Sequence, residues 1–239
     1  MLEYGQFCPV AKAAEVLGEK WTLLIVRELL LGSTRFSQIE RALSRISPTV
    51  LNKRLNSLQG AGLIVRKRAA DLRGYEYHLT EASRELLPIV QQISKWGMRW
   101  ARGPLSDSEL DVNLLMMDIE RRLDRGKLPG GQTVLKFQFT DLKRHGEWWI
   151  KIKGSDVELC TEDPGHDVDV YFTTDLRTMT EVWMGDIPAK QARSDKKLTV
   201  VGSPVYLKNL ESWLGLYVFS DIRPAGESGS RSVGIASGK

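Results

Sequence analysis

The sequence predicts two domains of different class, the first mostly α-helical with one β-hairpin and the second α+β. Apart from that hairpin, apolar residues recur at helical spacing in the first half, whereas beyond Gly130-Gly131 they alternate as in strands. Charge divides in the same way. Residues 1–103 hold 16 Lys and Arg against 9 Asp and Glu, a net charge of +7, while residues 104–239 hold 18 against 21, a net charge of −3.

Composition excludes several classes of protein. The longest apolar stretch, residues 21–31, is interrupted by Thr22, Arg27 and Glu28, so no segment is expected to span a bilayer. The N-terminus has no signal-peptide pattern, and two distant cysteines make no disulfide framework. We therefore expect a cytoplasmic protein of 239 residues with no membrane partner.

The first two helices are predicted at 9–17 and 21–31. Pro9 suits the first helical position, which places Cys8 near the N-cap. The positive end of a helix dipole lowers the pKa of a thiol, so Cys8 is a candidate redox sensor. A buried, inert thiol is the alternative, and the sequence leaves both open.

A helix-turn-helix pair is predicted next. Ser37-Gln38-Ile39-Glu40 has the pattern of a capping box, and Ser47-Pro48 begins a second helix. That helix, about 47–60, carries Leu51, Leu55 and Leu58 on one face. Its other face is polar, with Thr49, Asn52, Lys53 and Asn56.

A basic hairpin completes the first domain. Strands are predicted at 63–67 and 75–79, joined by a turn around Asp71 and Gly74. Helix, turn, helix and hairpin is the order of a winged helix. Residues 41–73 hold eight basic residues and one acid, which is the charge expected of a surface that binds DNA phosphates, although a solvated surface is the plain alternative.

Double-stranded DNA is therefore the predicted partner, with helix 47–60 in the major groove and hairpin 63–79 as the wing. Asn52 can read adenine and Lys53 can reach guanine or phosphate. Strand alternation prevents Arg66 and Lys67 from both facing DNA, and Arg73 lies nearest the wing tip. The predicted DNA-binding residues are Arg35, Ser47, Pro48, Thr49, Asn52, Lys53, Arg54, Arg68 and Arg73.

A long helix over 81–101, capped by Thr80 and bent at Pro88, is predicted to dimerise the protein. Its narrow apolar stripe consists of Leu86, Val90, Ile93, Gly97 and Trp100. The alternative is that this stripe folds back onto its own domain.

The second domain is predicted over 104–223, beginning with a Gly103-Pro104 linker. Its elements are a helix at 111–125, four strands near 135–139, 148–153, 157–159 and 168–172, a helix from Thr174 to Gly185, a strand at 198–201 and a last helix from Ser203-Pro204. This order predicts a sheet with helices on one face. Residues 224–239 are Gly/Ser-rich and are predicted to be disordered.

The first domain closely resembles the HxlR family of bacterial winged-helix transcription regulators. The matching motifs are Cys8-Pro9-Val10-Ala11-Lys12-Ala13, Gly18-Glu19-Lys20-Trp21-Thr22-Leu23-Leu24-Ile25, Arg27-Glu28-Leu29, Arg35-Phe36, Ile46-Ser47-Pro48, Leu51, Arg54-Leu55, Gly62-Leu63-Ile64 and Tyr75-Glu76-Tyr77-His78-Leu79-Thr80. The resemblance implies a dimeric DNA binder related to the MarR group. Several members sense oxidants or electrophiles through a cysteine at the position of Cys8.

The second domain more loosely resembles a sterol-carrier-protein-like domain. The matching segments run from Val168 to Leu176 and from Lys197 to Pro204. The resemblance implies an apolar tunnel and therefore an apolar small-molecule effector. The residues that would line it are Phe137, Phe139, Met179, Trp183 and Met184, and plain core packing is the alternative for all five.

Catalytic chemistry is not indicated. His78, His145 and His166 lack metal-ligand spacing, and no Ser or Cys nucleophile has an evident partner. We therefore expect no enzyme activity, no metal and no cofactor. The readings left open are an effector-sensing regulator, a Cys8 redox regulator with a structural second domain, and a lipid carrier.

Overall fold

The computed structural model describes residues 3–71 and 73–225. By its internal contacts the chain divides into two compact units, Met1–Trp96 (unit 1) and Gly97–Lys239 (unit 2). The domain limits predicted above, 1–103 and 104–223, remain proposals. Apart from residues 224 and 225, the tail predicted to be disordered lies outside the described residues.

Unit 1 begins with four helices, which are α1 (Pro9–Leu17), α2 (Thr22–Leu30), α3 (Phe36–Ala42) and α4 (Pro48–Gly60). Gly18 ends α1 where a Cβ would come within 2.5 Å of the Ala14 carbonyl oxygen. The start predicted for α3 was wrong. Its N-cap residue is Arg35, because Gln38 Oε1 accepts the Arg35 and Thr34 N–H groups at 3.0 and 2.9 Å, and Ser37 lies inside the helix.

The hairpin consists of β1 (Ile64–Arg68) and β2 (Tyr75–Leu79), antiparallel with Arg68 opposite Tyr75. A one-residue bridge pairs Arg35 with Glu76 on the outer edge of β2. The Tyr77 N–H also donates to the Thr34 carbonyl oxygen at 2.7 Å. The segment before α3 therefore acts as a short third strand of the wing.

The long helix predicted over 81–101 is interrupted. The structure has α5 (Glu81–Arg84), α6 (Leu86–Trp96) and a π-helical turn at Gly97–Ala101. A proline ring clashes with the carbonyl four residues earlier, which for Pro88 is that of Arg84. The break at Glu85 removes this clash and places Pro88 in the first turn of α6, where its missing N–H costs little.

The core of unit 1 joins the helices to the base of the wing. Its fully buried residues include Ile25 and Val26 of α2, Leu51 and Leu55 of α4, and Ile64 of β1. Helix α4 and the hairpin are thus fixed relative to each other by shared apolar packing.

The first α-helix of unit 2 is α7 (Val112–Arg122), whose N-cap Asp111 accepts the N–H groups of Asn113 and Leu114. Five strands follow, interleaved with helices. The strands are β3 (Gln132–Phe139), β4 (Glu147–Lys153), β5 (Asp156–Cys160), β6 (Val170–Thr174) and β7 (Leu198–Gly202). They form one sheet of order β5-β4-β3-β6-β7, in which β3 and β6 are parallel and all other pairs antiparallel.

The helices that follow β6 are α8 (Leu176–Met184), α9 (Ala189–Ser194), α10 (Pro204–Leu207) and α11 (Leu210–Leu214). Two predictions need correction here. The N-cap of α8 is Asp175, whose carboxylate accepts the Thr178 N–H at 2.8 Å, rather than Thr174. The predicted last helix is two short helices separated at Lys208 and Asn209.

The segment predicted as a linker is attached to unit 2. Arg177 of α8 donates to the carbonyl oxygen of Leu105 at 2.6 Å and to the carboxylate of Asp107 at 2.5 Å. Arg102 forms an ion pair with Asp186. Residues 102–107 are therefore held against the helices of unit 2.

The predicted tunnel residues lie in packed core. Phe137 stacks on Phe172 with ring centroids 4.4 Å apart, and Phe172 meets Trp213 edge to face at 6.2 Å. Phe139, Met179 and Trp183 are buried in the same cluster, with Met184 packed at its margin. These side chains therefore pack as core residues, which was the alternative given above, and a ligand pocket lined by them stays a prediction.

Candidate DNA-binding surface

Helix α4 presents a polar face because its apolar residues are all turned inward. Ser47 caps the helix by accepting the Val50 N–H at 3.3 Å, and Pro48 occupies the first turn. Leu51, Leu55 and Leu58 are buried. The residues on the opposite side, Thr49, Asn52, Lys53 and Asn56, are all exposed.

This exposed face has the chemistry of base recognition. The Asn52 amide can donate to and accept from one adenine edge, and the Lys53 ammonium donates to guanine or phosphate. Ser47, Pro48 and Thr49 lie at the helix N-terminus, the end that enters the major groove in helix-turn-helix proteins. The structure therefore places Ser47, Pro48, Thr49, Asn52 and Lys53 together on the exposed N-terminal part of α4, and their contacts with DNA stay a prediction.

Arg54 has a different role from the one predicted. Its Nε donates to the carbonyl oxygen of Lys20 at 3.1 Å, and its guanidinium pairs with Glu19. Only 15% of the side chain is exposed. Arg54 thus fastens α4 to the turn between α1 and α2, so the predicted phosphate contact is corrected to a structural one.

The wing carries its cations on two faces. The strand register places Arg66, Arg68 and Tyr75 on one face of the hairpin, with Lys67 on the other face. The Arg66 guanidinium lies 3.5 Å from the centroid of the Tyr75 ring, and that of Arg68 lies 5.9 Å from it. A guanidinium over a tyrosine face is attracted by the ring quadrupole, which orients both arginines.

The wing turn is fixed by Asp71. Its Oδ1 accepts the Arg73 N–H at 3.0 Å, and its Oδ2 lies 2.9 Å from Arg35 Nη2. The Arg73 N–H and the Arg35 guanidinium, in that order, lower the pKa of the Asp71 carboxyl below its usual 3.8. Arg73 itself is exposed at the turn, as predicted for the wing tip.

The Arg35 guanidinium pairs with carboxylates of the wing and is not free to bind a phosphate. Besides Asp71, its guanidinium lies 3.6 Å from Glu76 Oε1. Two carboxylates therefore share the charge of Arg35, and the predicted phosphate contact becomes a positioning role. The contact between Arg66 and Tyr75 was not predicted, because it depends on strand register, which the sequence does not specify.

The predicted dimer stripe is split between two environments. Leu86 and Val90 pack against the core of unit 1, as in the alternative reading. Ile93 and Trp100 are exposed and Gly97 is half-buried. Further exposed apolar side chains on α6 are Leu87, Ile89 and Trp96, the last with 60% of its surface exposed.

Cys8 occupies the N-cap position of α1, and its thiol is free and half-buried. In the described part of the chain no cluster of His, Cys, Asp or Glu could hold a metal ion. None of the helices found in residues 3–71 and 73–225 is long and apolar enough to cross a bilayer.

Comparison with known proteins extends these observations. Residues 16–104 match the model of a family described as HxlR-like helix-turn-helix. The HTH-type transcriptional regulator YvaP of Bacillus subtilis is 40% identical over 101 residues, covering 41% of this chain and 94% of YvaP. The chain belongs to the HxlR family. The HxlR match includes all of α2, α3 and α4 and both strands of the hairpin.

Two further transcriptional regulators are similar to part of this chain. The HTH-type transcriptional regulator Rv3095 of Mycobacterium tuberculosis is 41% identical over 96 residues, and the chain spans 60% of its length and 40% of its own. The reduced form of the transcriptional regulator YodB from B. subtilis is 29% identical, with a TM-score of 0.35, over 38% of this chain and 92% of YodB. This HxlR protein is a DNA-binding transcriptional regulator of the helix-turn-helix type.

Proposed function

We propose that the protein is a sequence-specific regulator that binds DNA as a homodimer, with α4 in the major groove and the β1–β2 hairpin as the wing. The observation that carries the proposal is the exposed polar face of α4, beside a wing in which Tyr75 orients Arg66 and Arg68 and Asp71 fixes the turn that carries Arg73. Contacts with base edges specify the DNA sequence, and contacts with phosphates fix the position of the protein on the duplex. Helix α4 can supply the first kind of contact and the wing the second.

The roles follow from the partners of each side chain. Asn52 and Thr49 have exposed polar groups on the face of α4 and are assigned to base edges. Lys53 is assigned to guanine or phosphate, and Arg68 and Arg73 to phosphates beside the groove. Arg35 and Arg54 position these elements without touching DNA.

Dimerisation is supported by the exposed apolar side of α6. Ile89, Ile93 and Trp96 lie at spacings of four and three residues and so share one face, with 46–60% of each side chain exposed. An exposed apolar face of this kind marks a protein interface, and a two-fold dimer would match a palindromic operator. Trp96→Ser should shift the protein to monomer in sedimentation velocity, whereas Tyr171→Ser, an exposed aromatic on the sheet of unit 2, should not.

For unit 2 we propose a sterol-carrier-like domain that either senses an apolar small molecule or serves in assembly. The mixed sheet with helices supports this assignment. A ligand changes DNA affinity only if it binds the DNA-competent form with different affinity. Fatty acids or sterols that leave DNA affinity unchanged at saturating concentration would exclude the sensing role.

A redox switch at Cys8 is the second candidate, favoured by a free, half-buried thiol directly before a nine-residue helix. In that case hypochlorite or a quinone would weaken DNA binding by the wild type. Cys8→Ser should abolish this response and leave binding in reductant intact.

The direct test of the proposed function is a fluorescence anisotropy titration of the full chain with DNA from upstream of its own coding region and with unrelated DNA, in 50–200 mM salt. A regulator should prefer one sequence and lose affinity steeply with salt. Equal, weak binding to both duplexes that salt does not change would contradict it.

A further inference from the structure

Unit 2 has a basic surface although residues 104–239, which make up most of that unit, carry a net charge of −3. Between positions 190 and 208 the sequence holds five Lys or Arg and one acid, Asp195. Two clefts of about 430 and 410 Å³ lie here, and Lys190 and Arg193 of α9 line both of them. The two clefts are therefore adjacent, separated by the exposed side of α9.

The charge within these clefts is strongly positive. The first cleft, between α9 and α11, adds Lys208 to the shared pair and contains one carboxylate, Glu211. The second, between α9 and β7, adds Lys196 and has no acidic residue in its lining. We call Lys190, Arg193, Lys196 and Lys208 the α9 basic surface.

These four cations are exposed, and within the described residues none of their side chains forms an ion pair or a hydrogen bond. Other lysines of unit 2 are paired, for example Lys136 with Glu147 at 2.8 Å and Lys151 with Glu158 at 2.5 Å. Four unneutralised cations around two clefts repel one another, and a bound anion relieves that repulsion.

The backbone at Lys196 supports a role for its charge. Lys196 ends α9 with φ +59°, the left-handed conformation that glycine adopts most easily at this position. A lysine here is strained relative to glycine, so the fold does not require this side chain. A requirement for positive charge would explain why lysine stands at the position.

We propose that the α9 basic surface binds the phosphate backbone of double-stranded DNA, as a second contact outside the helix-turn-helix. The clefts are open to solvent, whereas sites for small molecules enclose most of the ligand. Two adjacent open clefts that share their cations fit a chain of phosphates. The inference rests on the DNA binding proposed above. It assigns to unit 2 a contact with DNA phosphates whose strength does not depend on the DNA sequence.

The test uses the full chain and measures DNA affinity between 50 and 200 mM salt. Lys190→Ala/Arg193→Ala should reduce the slope of log K against log salt by about 1.8, because each lost phosphate contact removes about 0.9. The loss should be equal on operator and unrelated DNA, so that the preference for the operator is unchanged. Lys143→Ala/Arg144→Ala is the matched control, since it removes the same two charges from exposed positions outside the clefts.

Two single variants separate binding from folding. Lys196→Gly should raise the thermal unfolding midpoint, because it relieves the left-handed strain, and yet reduce the salt slope by about 0.9. Glu211→Gln should strengthen DNA binding, because it removes the one carboxylate lining the first cleft.

The outcomes distinguish the two proposals. If the wild type binds DNA and Lys190→Ala/Arg193→Ala keeps the wild-type slope, the α9 basic surface does not contact DNA and the inference is overturned. An equal reduction in the control variant would also overturn it, since net charge alone would then explain the effect. Stabilisation of the wild type, but not the double variant, by millimolar inorganic phosphate with an unchanged DNA slope would identify a small-anion site instead. A wild type that binds no DNA would overturn the proposed function itself.

Discussion

Arg54 Nε donates to the carbonyl oxygen of Lys20 at 3.1 Å, so the helix assigned to the major groove is also fastened to the turn between α1 and α2. Lys53, the preceding residue, is exposed to solvent. Two adjacent cations on one helix therefore have different surroundings: Arg54 binds the protein's own backbone, and Lys53, which we propose contacts DNA, is exposed.

This difference predicts opposite effects of two neighbouring substitutions. Lys53→Ala should reduce the salt slope of DNA binding by about 0.9 and leave stability unchanged. Arg54→Ala should lower the free energy of unfolding by about 1–3 kcal/mol, because it leaves the Lys20 carbonyl and the Glu19 carboxylate without their donor. Urea unfolding and the DNA salt series measure the two effects. Wild-type stability in Arg54→Ala would contradict the structural role.

The N-cap of α4 predicts a second contrast. Ser47→Ala should cost about 1 kcal/mol of stability, since the Val50 N–H loses its acceptor. Ser37→Ala should cost much less, because Ser37 is exposed inside α3 and does not cap it. Thermal unfolding of both variants checks this. A larger loss of stability in Ser37→Ala than in Ser47→Ala would mean that Ser37 caps α3, as predicted from the sequence.

The wing turn predicts a pH dependence. The Arg73 N–H and the Arg35 guanidinium lower the pKa of Asp71 in the folded state, so its carboxylate stabilises the fold above pH 3.8. That stabilisation is lost as pH falls through the lower, folded-state value. The carboxyl carbon of Asp71 should titrate below 3.8 by NMR. In Arg35→Ala its midpoint should rise but stay below 3.8, because the Arg73 N–H still donates; an unchanged midpoint would contradict the Arg35 contact.

The stacking of Phe137 on Phe172 in unit 2 predicts that Phe137 contributes to stability, whereas the sequence predicted that it lines a ligand tunnel. Phe137 is fully buried against Phe172, and Phe137→Ala should cost about 3–5 kcal/mol by leaving a cavity. Phe137→Leu should cost clearly less. Calorimetry of the full chain measures both. A Phe137→Ala variant as stable as the wild type would mean that the space was already empty.

The sequence was sufficient to predict those helices and strands whose ends are set by local sequence signals. Proline at the first turn placed the starts of α1 and α4, and the turn around Asp71 and Gly74 placed the start of β2. Helix α9 was not predicted, because its six residues are mostly polar and show no apolar period. Burial of Phe137 was readable from its strand period, but that period does not tell whether neighbouring rings fill the space.

The partners of the arginines could not be predicted because they depend on tertiary contacts. Arg54 and Lys53 have the same charge and adjacent positions, and only the folded chain brings Lys20 next to one of them. The contact of Arg66 with Tyr75 depends on strand register in the same way. The charge pattern therefore predicted a candidate DNA-binding surface, and tertiary packing determines which of its cations are exposed.

We propose that the exposed face of α4 reads bases, and one measurement tests this base contact most directly. Duplexes that bind the wild type are selected from random DNA, and the affinities of wild type and Asn52→Ala are compared on the best duplex and on its scrambled sequence. The claim predicts that Asn52→Ala loses about 1–3 kcal/mol on the selected duplex and almost nothing on the scrambled one. An equal loss on both duplexes, or no loss on either, would contradict the placement of α4 against the bases.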